Sequence, residues 1–420
     1  MKRLYILIFN ILIIINFSIA QEKKEIIVSK DGSGDFTSIQ EAINSIPDNN
    51  KQQVIIFIKN GIYREKIFIQ NSHITLIGED RKLTKIIFPE LRENWTKEHN
   101  GSDWGTAVIN IDTLVSDIIF ANMTIYNNYG SIYDVKNKHQ FAVRGWGTRI
   151  IFIYCDVISD GGDTMSLWNK EDGMYYHSNC YFEGWVDFVC PRGWCYITDS
   201  RFFGYNLSAS IWHDGDTDKD QKFVIRYSYF DGVPNFPLGR HHRDAQIYLL
   251  DCIFSKNMAD KKIYYPTSPT SRPWKWGERH YFYNCHREGG DYDWFKDNLE
   301  LAEGSPKPEE IDAKWTFKGK WDPESHLNYI MPYSILIFPR NGAYYINNEN
   351  VILRWAPARK TIKQRIFFGT EENNLNLINE QKENYLEIKK LEKNKTYYWR
   401  VDGITDKGII KGELWHFTTR

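Results

Sequence analysis

Two aspartates stand 24 residues apart: Asp163 in Asp160-Gly161-Gly162-Asp163-Thr164, and Asp187 in Val186-Asp187-Phe188-Val189. Gln140, in His139-Gln140-Phe141-Ala142-Val143, precedes the first by 23 residues, and Arg240, in Pro237-Leu238-Gly239-Arg240, follows the second by 53. Two carboxylates held side by side cannot both ionise freely, so one pKa rises. Such a pair can supply an acid and a nucleophile together. A guanidinium beside one of them would keep it charged and oriented, and a primary amide could donate to a developing oxyanion. Taken singly, each motif reads as ordinary turn chemistry, since Asp-Gly and Gly-Asp are common in turns. Their shared interval makes them a set.

An interval of that size needs a scaffold that repeats. From about residue 53 to 290 short apolar strands alternate with turns, among them 53–58, 66–69, 74–77, 85–88, 107–111 and 117–120. The segments Asp156-Val157-Ile158, Asn179-Cys180-Tyr181-Phe182, Asp199-Ser200-Arg201-Phe202, Tyr227-Ser228-Tyr229-Phe230 and Asp251-Cys252-Ile253-Phe254 end 24, 20, 28 and 24 residues apart. A sandwich would turn every 8–12 residues or so, whereas a coil of a parallel β-helix takes about the length observed. Positions one, one and two coils apart then stack at about 5 Å spacing on one face. This brings Gln140, Asp163, Asp187 and Arg240 to one groove. The fold expected is all-β: a right-handed parallel β-helix over 21–328, followed by a small β-sandwich over 329–420.

Composition is compatible with a large core and with little electrostatic pull. The 420 residues are 42% apolar, and 53 Lys+Arg against 54 Asp+Glu leave a net charge of −1. No basic excess suggests nucleic acid as a partner. The 65 aromatic residues suit a β-rich core or a sugar-binding groove. Residues 1–20 read as a signal peptide: Lys2 and Arg3, an apolar stretch, then Ser18-Ile19-Ala20 before Gln21. The expectation is a secreted or periplasmic protein cut near Ala20, without a membrane span. A short helix should follow the Gly-rich turn Asp31-Gly32-Ser33-Gly34-Asp35, with Thr37 and Gln40 as a capping box. Cys180 and Cys252 occupy one place in coils too far apart for a disulfide. Cys190 and Cys195 remain a possible local pair, and Cys155 and Cys285 stay open.

The ordered motifs resemble the pectin methylesterases (pectinesterases), through Asp31-Gly32-Ser33-Gly34-Asp35-Phe36-Thr37-Ser38-Ile39-Gln40, Gly61-Ile62-Tyr63-Arg64-Glu65 and Ile74-Thr75-Leu76-Ile77-Gly78 as far as about residue 325. The resemblance implies a metal-free esterase, with no cofactor, acting on a methyl-esterified uronate polysaccharide such as pectin. It assigns Asp187 as nucleophile, Asp163 as general acid and then base, Arg240 as the group orienting Asp187, and Gln140 as an oxyanion donor. Two positions depart from the family pattern. Gly162 stands where a Gln oxyanion donor usually precedes the acid Asp, and His241-His242 replace Pro-Trp after Leu-Gly-Arg. Restoring Gln at 162 is therefore expected to raise turnover.

Trp146, Trp185, Trp212, His241 and His242 are the candidate sugar contacts, with Trp168, Trp194, Trp274 and Trp276 as further aromatics and His213 on the same ladder. Two other readings compete: a lapsed esterase that only binds acidic polysaccharide, and a polysaccharide lyase. The lyase reading would draw on Asp214, Asp216, Asp218 and Asp220 as a calcium loop. The C-terminal segment, with Trp355, Trp399 and Trp415 on alternating strands, resembles a fibronectin type III module and reads as a spacer or docking unit. Truncation after about residue 328 should then leave folding intact. A monomer is expected.

Overall fold

The computed structural model describes residues 25–215, 217–266, 274–301 and 304–420. The signal-peptide segment, Asp216 and Pro273 lie outside the described residues. Up to residue 287 the chain winds through three parallel sheets that share one core. The first sheet has ten strands, from Glu25–Val28 to Glu278–Tyr283, and the second has nine, from Gly61–Tyr63 to His286–Arg287. The third runs through Ile67–Ile69, Ala107–Ile111, Phe141–Gly145 and Met165–Leu167. Isolated bridges Met165↔Val189 and Val189↔Ile211 extend it to the paired strands Ile211–Trp212 and Gly239–Arg240. Successive coils add strands to these walls in turn, which makes the architecture a parallel β-helix.

Sequence dictates the corner between the first and second sheets. Asn122, Tyr154, Asn179, Asp199, Tyr227, Asp251 and Asn284 all adopt positive φ, between 48° and 57°. Asn and Asp tolerate this left-handed conformation better than other side-chain-bearing residues. The residue after each corner turns inward, so Cys155, Cys180, Ser200, Ser228, Cys252 and Cys285 form a buried column. The column is linked in part by hydrogen bonds, the Cys180 and Ser200 amides donating to Ser200 Oγ (3.1 Å) and Ser228 Oγ (3.2 Å). All six cysteines are free and buried, including Cys190 and Cys195. Further along, Val157, Phe182, Phe202, Phe230 and Phe254 stack in register, with Phe202 and Phe230 4.2 Å apart and nearly coplanar. The partner of Phe182 is Val157, not Ile158 as the segment ends suggest, because the Asp156 segment enters its strand one residue earlier. The helix Ile39–Asn44 closes the first coil, but its cap is Ser38, whose Oγ accepts from Glu41 N. Gln40 instead bonds the backbone of Phe68 in both directions.

Beyond residue 290 short helical turns, including Asp293–Phe295 and Ala313–Thr316, lead to two antiparallel-rich sheets around Trp355, Trp399, Trp415 and Phe417. The change of pattern near residue 330 suggests a separate unit, and in the structure this sandwich packs against the β-helix. Ile330, Met331, Ile335, Ile337 and Ala356 share one buried cluster with Ile77, Ile119, Ile151 and Tyr176 on the outer face of the ten-stranded sheet. Arg340, 6% exposed, reaches across to Glu324 at 2.5 Å and Asp199 at 3.2 Å, and Arg359 pairs with Glu25. An outer sheet face rich in Ile and Tyr needs a cover, and the C-terminal segment supplies part of it. No helix among the described residues is long and apolar enough to cross a membrane.

Candidate active site

The third sheet presents its outward side chains in columns. Val143, Met165, Val189 and Ile211 point into the core, so the residue after each faces out: Arg144, Ser166, Cys190, Trp212 and then Arg240. Ahead of them lie Asp163 and Asp187, both at positive φ (56° and 51°). The Asp163 amide donates to Val186 O at 3.0 Å, and the Asp187 amide to Ala209 O at 2.9 Å. Each aspartate is therefore stitched to the next coil at the same height. A left-handed turn at one coil position aims both carboxyls outward, one coil apart.

Arg240 grips Asp187 with its Nε, 3.1 and 3.2 Å from Oδ1 and Oδ2, and its Nη2, 2.7 Å from Oδ2. Burial pushes the Asp187 carboxyl up to about 7, and Arg240 offsets part of that rise. Burial also raises Asp163, which has no cation in contact among the described residues. A contacting guanidinium favours the charged form of its partner, so this direct stabilisation of charge falls on Asp187 and not on Asp163. His139, whose Nδ1 lies 3.0 Å from Glu93 Oε1, is close enough to both acids to lower their pKa values when it carries a proton.

The remaining predicted residues divide. Gln140 is fully buried; its Oε1 accepts from Gly130 N at 2.9 Å and its Nε2 donates to Val135 O at 2.7 Å. Its amide faces the loop at 130–135, not the open groove. Trp212 donates its indole N–H to His242 Nδ1 at 2.8 Å, so His242 is a neutral wall residue, its pKa lowered to about 4 chiefly by burial, with Arg240 adding to it. Trp185 stacks on Tyr205 with centroids 6.0 Å apart, and Trp146 lines a shallow hollow of about 400 Å³ with Asp103 and Trp104. His241 does not reach the groove. It is buried against Tyr265, Trp274 and His280, because the residue after an outward Arg240 must turn inward. His213 behaves alike, buried on Gly193 O at 2.9 Å, and Trp194 packs beneath the C-terminal segment. Of the described members of the acidic stretch, Asp220 pairs with Lys318 at 2.8 Å, while Asp214 lies 3.6 Å from Arg243. No cluster of metal-ligating side chains occurs among the described residues. A hollow of about 520 Å³ lies elsewhere, where Tyr227 and Tyr283 face Phe338 and Tyr344.

Gly162 is a packing constraint as well as a missing donor. A Cβ there would sit 2.9 Å from Val186 Cγ1 and 3.0 Å from Val186 O. The expectation that Gly162→Gln alone raises turnover is therefore corrected. The substitution should instead destabilise by about 1–3 kcal/mol, as overpacking does, and leave turnover no higher. Adding Val186→Ala should recover part of the melting temperature, since it removes one of the two close contacts. Thermal melts of the single and double variants check this.

Arg144 and Arg192 were not singled out by sequence reasoning. The signal was present: Trp146, Trp168 and Arg192 follow one another at 22 and 24 residues, the same period as the acids. In the structure Arg144 lies over Trp168 at 3.8 Å and bonds Ser166 and Asp103.

The structure joins a parallel β-helix to an arginine-clamped aspartate beside a second, partly buried aspartate, and the comparisons with known proteins bear on the fold and on part of this site. Residues 25–208 match the family described as Pectinesterase, a span that contains Gln140, Asp163 and Asp187 but not Arg240. Pectinesterase 1 of Olea europaea is 30% identical over 186 residues, 41% of this chain and 45% of the relative. The chain spans about half the length of the curated relatives it matches. Among solved structures, pectin methylesterase PemA from Erwinia chrysanthemi aligns with a TM-score of 0.56 at 20% identity, over 71% of this chain and 98% of that one. A pectin methylesterase in complex with hexasaccharide VII gives 0.58 at 21%, with the same coverage. The fold is the right-handed parallel β-helix of these enzymes.

Proposed function

We propose that this protein is an exported carboxylic ester hydrolase that removes methyl groups from a pectin-like polyuronate. The observation that carries the reading is the bidentate Arg240–Asp187 contact beside Asp163, which has no cation in contact among the described residues. In the proposed reaction the Asp187 carboxylate attacks the ester carbonyl and forms a tetrahedral centre. Its collapse expels the methoxy group, which leaves as methanol with the proton from Asp163. The resulting acyl-enzyme is an anhydride of Asp187. Asp163, now ionised, takes a proton from water, the hydroxide attacks the anhydride, and Asp187 is released. The solved relative in complex with a hexasaccharide supports a polymeric substrate, and the half-buried Trp185 and Trp146 are its proposed contacts. The sandwich is read as a fibronectin type III-like module, and residues 1–20 as the export signal.

A binder that has lost catalysis is the second reading, favoured by the absence of an amide at residue 162 and the anchored amide of Gln140. Removing one oxyanion donor costs about 10²–10³ in rate, so turnover should be slow even if the reading is right. Methanol release from methyl-esterified polygalacturonate tests it; an unsaturated-uronate absorbance without methanol would indicate a lyase. The rate should fall as pH drops through about 7, where Asp187 takes up its proton. A pH profile flat between 5 and 8 would contradict the ionised nucleophile.

A further inference from the structure

The hollow of about 520 Å³ has walls of two origins. On one side stands the last part of the ten-stranded sheet, where the register Arg226↔Leu250↔Tyr283 sets Arg226 and Tyr283 two coils apart. The corner residues Tyr227, Asp251 and Asn284 flank them. On the other side stands a three-stranded sheet of the sandwich, Ile335–Phe338, Asn350–Ala356 and Tyr385–Lys389. Val351, Leu353 and Trp355 belong to the sandwich core, so strand alternation turns Ile352 and Arg354 the other way, and both line the hollow. Phe338 pairs with Arg354 across the strands and lines it too.

The wall from the β-helix is rigidly pre-formed. Arg226 donates from Nε to Asp251 Oδ2 at 2.8 Å, and from Nη1 to Pro308 O at 2.8 Å and Ile311 O at 2.9 Å. Asn284 Nδ2 donates to Asp251 Oδ1 at 2.8 Å. Four arginines of the lining, Arg226, Arg340, Arg354 and Arg420, are matched by four carboxylates, Asp251, Glu309, Asp312 and Glu324. Two of those arginines are already taken up, Arg226 by Asp251 and Arg340 by Glu324. A lining balanced in this way gives an acidic chain no net attraction. The mouth, by contrast, carries large apolar groups that little protein covers: Tyr344 is 68% exposed, Ile352 43% and Phe338 39%. Singly such residues are ordinary; gathered at one hollow they mark a ligand groove. Tyr227 and Tyr283 stand opposite them.

We propose that this hollow is a second binding site, for an uncharged oligosaccharide, formed jointly by the β-helix and the sandwich. A neutral sugar offers apolar C–H faces to the rings on both walls. Its hydroxyls both donate and accept, which suits a lining where carboxylates that accept alternate with guanidinium and amide groups that donate. The volume falls within the about 300–1,000 Å³ of small-ligand sites. The hollow opens on a different wall of the helix from the acid pair and shares no lining residue with it, so the inference does not depend on the esterase reading. It gives the sandwich a task beyond covering the outer sheet face: it completes a sugar site that the β-helix alone leaves half built.

The test is calorimetric titration of the full chain with three uncharged probes, cellohexaose, galactohexaose and arabinohexaose, and with hexagalacturonate as the charged counterpart. At least one neutral probe should bind in the submillimolar range. Tyr344→Ala should weaken it about tenfold or more, the size expected on removing a central aromatic contact. Tyr344→Phe should keep most of the affinity, since the ring face makes the contact. Ile352→Arg, at an exposed position, should obstruct the hollow and remove binding; thermal melts verify that each variant is folded. Hexagalacturonate should not displace the neutral probe. Failure of all three neutral probes to bind at millimolar concentration overturns the proposal, and so does equal binding by wild type, Tyr344→Ala and Ile352→Arg. Displacement by hexagalacturonate, or loss of the neutral probe in Trp185→Ala, would place the sugar in the groove of the acid pair and overturn it as well. Absence of methanol release with neutral binding intact would remove the esterase reading and leave this site standing.

Discussion

Asp187→Asn is expected to abolish methanol release while leaving the β-helix folded. An amide cannot form the acyl-enzyme, and Arg240 loses its charged partner. Asp163→Asn should be nearly as severe, because both proton donation to methanol and activation of water disappear; a single acid–base role is worth about 10²–10⁴ in rate, and here one group performs two. The double variant should be little worse than either single one, since the residues act as a unit. Stability separates loss of chemistry from loss of fold. Burial raises the Asp163 pKa above its unfolded value, so the folded state binds that proton more tightly. The stabilising contribution is complete below the unfolded pKa and lost as pH rises through the folded one. At neutral pH and above, Asp163 therefore costs stability, and Asp163→Asn should melt higher than wild type, with the gap closing towards pH 4. Full esterase activity in folded Asp187→Asn would end the mechanism.

The second large effect lies far from the chemistry. Arg340→Met should destabilise the protein by about 3–5 kcal/mol, the usual cost of stranding a buried charge. Arg340 is the cation that Glu324 and Asp199 share, and Glu324 also accepts from Tyr176 Oη at 3.3 Å. Without Arg340, burial drives the Glu324 carboxyl further above its unfolded value, so the folded chain takes up a proton more readily than the unfolded one. The deficit should then shrink as the pH falls. Urea midpoints at pH 5 and pH 7.5 measure this, and an equal loss at both would refute the charge argument. Truncation after residue 328 should be more damaging still, since it removes Arg340 together with Ile335, Ile337 and Ala356 from the shared cluster. A truncated chain that unfolds with wild-type cooperativity would show the interface to be dispensable.

The errors of sequence reasoning share a cause. The period of the repeat located the strands within a residue or two, because alternation and corner residues such as Asn179, Asp199 and Asp251 are local signals. The inward or outward sense of a side chain is equally local but flips with a shift of one residue. His241 and His213 were therefore grouped with Arg240 and Trp212, although each sits one position on and is buried. Gln140 lies at the right height, yet a loop ten residues upstream and another backbone carbonyl at Val135 claim its amide. The C-terminal boundary was drawn from a change of pattern. Pattern reports how a segment folds, not what its outer surface rests on.

By itself the sequence determined that the chain is a stack of coils, that Asp163 and Asp187 lie one coil apart, and that Arg240 can meet them two coils further on. Those facts follow from period and chain length, which the backbone geometry of a parallel sheet converts directly into distance. Only the tertiary structure decided which acid the guanidinium grips and that burial raises both, since the clamp comes from 53 residues away and the burial from several coils. Only it revealed that Gly162 is crowded by Val186, that the Arg192 guanidinium lies against Trp168 and near Trp212, and that the sandwich covers part of the outer wall of the helix. The period names Gly162 with Val186 and Trp168 with Arg192 as neighbours in successive coils, but not how closely their side chains meet, and the contact of the sandwich with the outer wall follows no period at all.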